Sequence, residues 1–90
     1  MDTTENDDVR MRVRDLVARY RRGDLSLEDF EYRLESLLGQ LSGVDRDQDR
    51  ALRGIVNALE VIRFTHLPES QLQAVDASMM QLERIMAELP

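Results

Sequence analysis

The sequence predicts an all-α protein, an antiparallel four-helix bundle. Three observations predict it. Apolar residues recur at spacings of three and four along four separate segments. No segment shows the strict alternation of a half-buried strand. The segments are divided by short stretches that carry glycine, proline or a capping residue. Ninety residues make one domain, 1–90, and a chain of that size buries about 60–70% of its unfolded surface, enough for one compact core. Helices are expected at about 8–22, 26–41, 48–66 and 68–89, after a flexible tail over 1–6.

The first helix follows Asp7 or Asp8, either of which can accept the free amides of a first turn. Val9, Val13, Leu16, Val17 and Tyr20 form its apolar stripe. The remaining positions are rich in arginine, and those near the C-terminal end suit the helix dipole. Gly23 fits the left-handed position just past the end, with Leu25 to cover it. Ser26 opens the second helix, and Asp29 stands where a capping box has its acid. Leu27, Phe30, Leu34, Leu37, Leu38 and Leu41 repeat the first stripe's spacing, so a tight link through Gly23–Leu25 sets the two stripes face to face.

Asp47 or Asp49 is the expected cap of the third helix, which ends near His66 because Leu67 precedes Pro68. Leu52, Ile55, Val56, Leu59 and Ile62 give it one apolar face, and Gly54, Ala58 and Val61 a second, with Phe64 widening the belt. A helix apolar over most of its circumference is expected at the centre of the core. Pro68 and Glu69 suit the first turn of the fourth helix. Leu72, Val75, Met79, Leu82, Met86 and Leu89 then make a narrow heptad-like seam, thickened by Ile85. The expected core unites Leu16, Phe30, Leu34, Leu52, Ile55, Leu59 and Leu82.

Composition narrows the function. There is no cysteine, which excludes a disulfide framework and a thiolate site and agrees with a cytoplasmic location. The opening MDTTENDD is not a secretory signal, and no apolar run reaches the ~20 residues of a membrane span. The 18 acids outnumber the 12 bases, every one of them arginine, for a net charge of −6. The excess is concentrated. Residues 1–23 carry +1, residues 24–49 carry −6 and residues 50–90 carry −1.

Asp45–Asp49 begins like a calcium loop, but Arg50 and Val56 stand where that loop needs glycine and a bidentate glutamate. Helix capping is the better reading. His66 is the only histidine, with no spacing to a triad partner or a second metal ligand. Paired carboxylates on the second helix would need a cleft to shift their pKa values apart, and a bundle this short offers little room. No catalytic residue, metal or cofactor is expected. The first helix mixes Arg10, Arg14 and Arg21 with Asp7, Asp8 and Asp15. It reads better as ion-paired with the second helix than as a nucleic-acid surface.

The second helix carries the best candidate site. Glu28, Glu31 and Glu35 form an expected solvent-facing stripe beside Tyr32. Asp24 extends it at one end, and Asp45, Asp47 and Asp49 follow the other. A bland reading makes this a solvated face. The sharper reading makes it a docking surface for a basic protein, with Tyr32 as the anchor and the acidic field speeding encounter.

The stretch LVARYRRGDLSLEDFEYRLESLL resembles the opening hairpin of the colicin D-type immunity proteins, small bacterial self-protection proteins. Leu16, Tyr20, Gly23, Leu25, Ser26, Phe30 and Leu34 carry the resemblance, which covers about residues 13–41. From Pro68 on the chain is only loosely similar, and helical-hairpin modules of the SHOCT type share the pattern. The resemblance implies a four-helix bundle whose acidic surface covers the basic active site of a nuclease toxin. The expected function is thus a non-enzymatic, immunity-type inhibitor. The alternative is a self-associating structural or regulatory protein, of phage origin on that reading. It would dimerise through Gly54, Ala58, Val61 and Phe64 or through the seam of the fourth helix.

Overall fold

The computed structural model describes residues 5–90. It contains four helices, α1 (Asp7–Arg21), α2 (Leu27–Leu38), α3 (Arg46–Thr65) and α4 (Pro68–Glu88). There is no strand among the described residues. α1 packs on α2, α2 on α3 and α3 on α4, and α4 closes the ring on α1 along the thinnest of the four seams. Contacts join opposite ends of neighbouring helices. Arg63 near the end of α3 meets Glu31 near the start of α2, and Arg10 near the start of α1 meets the last turn of α4.

Each helix buries part of the stripe its spacing predicts, while Leu37, Leu38, Leu41, Val56 and Ile62 are half-buried at its edges. Val9, Val13, Leu16, Val17 and Tyr20 of α1 are buried, as are Leu27, Phe30 and Leu34 of α2 and Leu52, Ile55 and Leu59 of α3. α4 contributes Val75, Met79, Leu82, Ile85 and Met86, with Leu89 just beyond its end. All seven residues of the expected core are therefore buried. The Tyr20 and Phe30 rings stack with centroids 4.9 Å apart, which locks the α1–α2 hairpin from inside. Burial raises the pKa of the Tyr20 phenol above 10.0, because the phenolate would lose its water.

The hairpin link forms as the sequence dictates. Gly23 takes φ +84, and the amides of Gly23 and Asp24 donate to the carbonyls of Tyr20 and Arg19. Those two bonds satisfy carbonyls that the helix end leaves free. The Ser26 hydroxyl accepts from the Asp29 amide at 3.1 Å, capping α2. Pro68 starts α4 with Leu67 extended before it.

Several expectations are corrected. α3 is an equal member of the ring rather than its centre. It has a neighbour on two sides only, so Gly54, Val61 and Phe64 face solvent. Leu72 is 44% exposed and stands outside the α4 seam. α2 stops at Leu38 rather than Leu41, where Gly39 caps it. α3 is capped by Asp45, not by Asp47 or Asp49. The Asp45 carboxylate accepts from the Gln48 amide at 2.7 Å, and the Gln48 side chain accepts from the Asp45 amide at 3.1 Å. That reciprocal box needs a glutamine or glutamate three residues on, which only Asp45 has.

The N-terminal side of α1 also differs. Asn6, not Asp7 or Asp8, is the N-cap residue, and it makes no cap bond to its own helix. It is fully buried. Its amide nitrogen donates to the carbonyls of Ser42 at 2.9 Å and Pro90 at 2.8 Å, and its oxygen accepts from the Ser42 amide at 2.9 Å. Arg10 adds bonds to the carbonyls of Met86 and Leu89. The expected tail thus fails at Asn6, which fastens the start of α1 to the α2–α3 link and to the end of the chain; positions 1–4 lie outside the described residues. Gly43, at φ +69, lets the link approach, since a Cβ there would sit 3.0 Å from the Pro90 ring.

Candidate functional site

The acidic candidates sit along the groove between α2 and α3. Successive turns of α2 bring Glu28, Tyr32 and Glu35 onto one outward face, because residues three and four apart are neighbours on a helix. All three are exposed, and Tyr32 keeps 76% of its surface in solvent. Neither Glu28 nor Glu35 is in an ion pair among the described residues. Across the groove α3 contributes Val56, Asn57, Glu60 and Arg63 to the same walls. Glu60 is exposed and likewise outside any described ion pair.

Glu31 does not belong to the solvent-facing stripe. It is 8% exposed, and its Oε1 accepts from Arg63 Nε at 2.9 Å. It lies between the outward face and the apolar stripe of α2, so packing α3 against that edge covers it. The same guanidinium lies 4.3 Å from the centroid of the Phe64 ring, within the range of a cation–π contact. Glu31 and Arg63 are therefore structural groups of the groove wall, and their charges offset one another there.

The remaining candidates are spread along the molecule. Asp24 is exposed beyond the start of α2, with Arg22 Nε 3.2 Å from its carboxylate. Asp45 uses its carboxylate as the α3 cap. Asp47 is exposed in the first turn of α3. Asp49 pairs with Arg53 at 3.0 Å and lines a continuation of the groove with Glu35, Leu38 and Val44. Hence the structure brings together Glu28, Tyr32 and Glu35, leaves Asp24, Asp45 and Asp47 toward the ends, and adds Glu60. Sequence reasoning missed Glu60. The signal was its place one turn after Val56, on the flank that faces α2 once the α2–α3 seam is drawn.

Tyr32 also stands on the rim of a second groove, between α1 and α2. That groove carries Arg12, Arg19 and Arg33 beside Asp8 and Asp15, with exposed Met11. The arginines of α1 do not pair with α2 as expected. Arg10 and Arg12 pair with Asp7 and Asp8 in their own helix, Arg21 approaches Asp76 of α4 at 3.4 Å, and Arg22 meets Asp24 in the link. These partners are closer in sequence or across the α4–α1 seam, so short side-chain reach decides the pairing. Intramolecular acids oppose several of these cations, which weakens α1 as a phosphate surface.

His66 caps α3, with Nδ1 3.0 Å from Thr65 Oγ1. Among the described residues, no cluster of three or more His, Asp or Glu side chains is placed to hold a metal ion, and no helix is long and apolar enough to cross a membrane. Comparison with protein-family models, curated proteins and solved structures finds no match.

Proposed function

We propose that this chain is a non-enzymatic protein-binding domain that presents its α2–α3 face to a basic protein. One observation carries the reading. An aromatic side chain that is 76% exposed, Tyr32, stands between Glu28 and Glu35 on one face, with Glu60 across the groove. An exposed tyrosine costs little conformational entropy to immobilise and offers a large contact, which makes it hot-spot material. Unpaired carboxylates around it attract a basic partner and reject an acidic one. The resemblance of residues 13–41 to colicin D-type immunity proteins supports a finer version, in which the basic partner is a nuclease toxin and binding covers its active site.

The test uses catalytically inactivated basic nuclease toxin domains, with basic proteins that are not nucleases alongside. Binding is measured for the wild type and for the double variant Glu28→Arg, Glu35→Arg. The reading expects binding to at least one toxin domain and its loss in the variant. Equal binding by both proteins would place the contact elsewhere. Equal binding to toxins and to other basic proteins would reduce the interaction to charge alone.

A further inference from the structure

Beyond Glu35 the α2–α3 groove runs into an open hollow of about 690 Å³. The unequal lengths of the two helices create it. Seven residues of α2 (32–38) follow the Glu31–Arg63 contact, whereas seventeen of α3 (46–62) lead up to it. The early turns of α3 therefore run on past the end of α2. Buried Leu52 lies at the base of the hollow, and Leu38, Leu41, Val44 and Val56 wall it. All four walls are half-buried, so each keeps apolar surface that the bundle leaves uncovered. The link after α2 does not close over them. Asn6 bonds Ser42, and Gly43 lies against Pro90, so Leu41 and Val44 form a fixed wall rather than a lid.

The rim offers one sign of charge. Its two cations are neutralised within the chain, Arg53 by Asp49 at 3.0 Å and Arg63 by Glu31 at 2.9 Å. Glu28, Asp29, Glu35 and Glu60 line the same groove and are outside any ion pair among the described residues. The two long walls are helices, whose backbone groups bond within the helix. An extended segment would find no backbone partners along them, whereas a helix satisfies its own.

We propose that the occupant of this groove is an amphipathic basic helix of the partner protein. A bulky apolar side chain sits among Leu38, Leu41, Val44 and Val56, and arginines or lysines one turn and more beyond it lie over Glu35, Glu60 and Glu28. This names the partner's chemistry at the α2–α3 face and rests on the reading of that face as a docking site for a basic protein. From Asp49 to Glu60 the groove follows about three turns of α3, ~16 Å. Charge alone would accept any basic surface. The hollow adds a demand for an apolar residue at one end.

Two stapled helical peptides of about 14 residues test it. One carries two leucines a turn apart at one end and arginines along the same face beyond them. The other has serines in place of the leucines and the same charge. By calorimetry the wild type is expected to bind the leucine peptide at least about tenfold more tightly than the serine peptide. Val56→Gln should keep its helical circular dichroism and bring the leucine peptide down to the serine peptide's affinity. The double variant Glu28→Arg, Glu35→Arg should weaken both peptides alike. In wild-type amide NMR spectra the leucine peptide should shift Leu41, Val44 and Val56 and the serine peptide should not, a result that decides the matter even if Val56→Gln fails to fold. Equal affinity for the two peptides overturns the apolar anchor, and the acidic docking face still stands if the charge-reversed variant loses both. Leucine-dependent binding that survives charge reversal overturns the acidic face itself. Binding of neither peptide at about 1 mM overturns the helical occupant.

Discussion

Arg63 donates from Nε to Oε1 of Glu31 at 2.9 Å, joining the end of α3 to the start of α2, with 25% and 10% of the two side chains exposed. This pair is too covered to be ranked with loose surface ion pairs. Arg63→Ala leaves a mostly buried carboxylate without its charged partner and is expected to cost about 1–3 kcal/mol. Glu31→Gln keeps an acceptor for the guanidinium and is expected to cost less. A double-mutant cycle of Arg63→Ala with Glu31→Ala, each of which removes the bond, should show a coupling above about 0.5 kcal/mol in urea denaturation. No coupling would mean that the pair is solvated, and Glu31 would return to the outward acidic face.

Asn6 is the smallest unit that ties three parts of the chain together. Its three bonds serve Ser42 and Pro90, and a fully buried amide must be satisfied by the protein. Asn6→Ala leaves the Ser42 amide and two carbonyls without these bonds, for an expected loss of about 2–4 kcal/mol. Asn6→Asp is expected to be at least as damaging near neutral pH. A carboxylate cannot donate, and it would face the carbonyl oxygens of Ser42 and Pro90. The check is thermal denaturation together with hydrogen exchange at the Ser42 amide, which should quicken in both variants. Wild-type protection in Asn6→Ala would show that the clasp is dispensable.

Tyr20 gives the fold an alkaline limit. Its folded pKa is raised above 10.0 by burial, while the unfolded chain releases the proton near 10.0. The folded state then holds the proton more tightly, so the stabilisation is fully present below pH 10 and declines as pH rises through the folded pKa. Tyr20→Phe keeps the ring that stacks on Phe30 and removes the titrating group. Its denaturation midpoint is expected to fall less steeply than that of the wild type above about pH 10. Parallel profiles would assign the alkaline loss to other groups.

The periodicity made the core legible because burial of an apolar stripe depends on local spacing. The Gly23 turn, the Ser26 cap and the Pro68 start were legible for the same reason, each being fixed within a few residues of chain. What escaped depended on residues far apart in sequence. Asn6 looks like part of a polar tail until Ser42 and Pro90 are beside it. Glu31 looks solvent-facing until α3 brings Arg63 against it, and Glu60 joins the groove by the same packing. Val61 and Phe64 widened the apolar belt that set α3 at the centre of the core, whereas a ring of four helices leaves each one a solvent face. Of the candidate site, Glu28, Tyr32 and Glu35 were therefore readable as a face, while the far wall of the groove was not.

The acidic face makes a kinetic prediction that separates charge from contact. Glu28 and Glu35 are exposed, so Glu28→Arg and Glu35→Arg are each expected to change stability by no more than about 0.5 kcal/mol. Glu31→Arg is different, because it sets a second guanidinium against Arg63 in a covered site and is expected to destabilise the fold. Only the first two variants can therefore report on binding. Their effect on a basic partner should appear in the association rate and fade with salt, since attraction between exposed charges is screened over ~8 Å at physiological ionic strength. Tyr32→Ala removes contact area and leaves the long-range field in place. It is expected to leave the association rate nearly unchanged and to raise the dissociation rate. Surface plasmon resonance at two salt concentrations measures both rates for all three variants. If Tyr32→Ala leaves dissociation unchanged while the charge reversals slow association, the carboxylates steer a partner that docks away from Tyr32. If neither rate moves in any variant, the α2–α3 face is a solvated surface and the proposed contact is wrong.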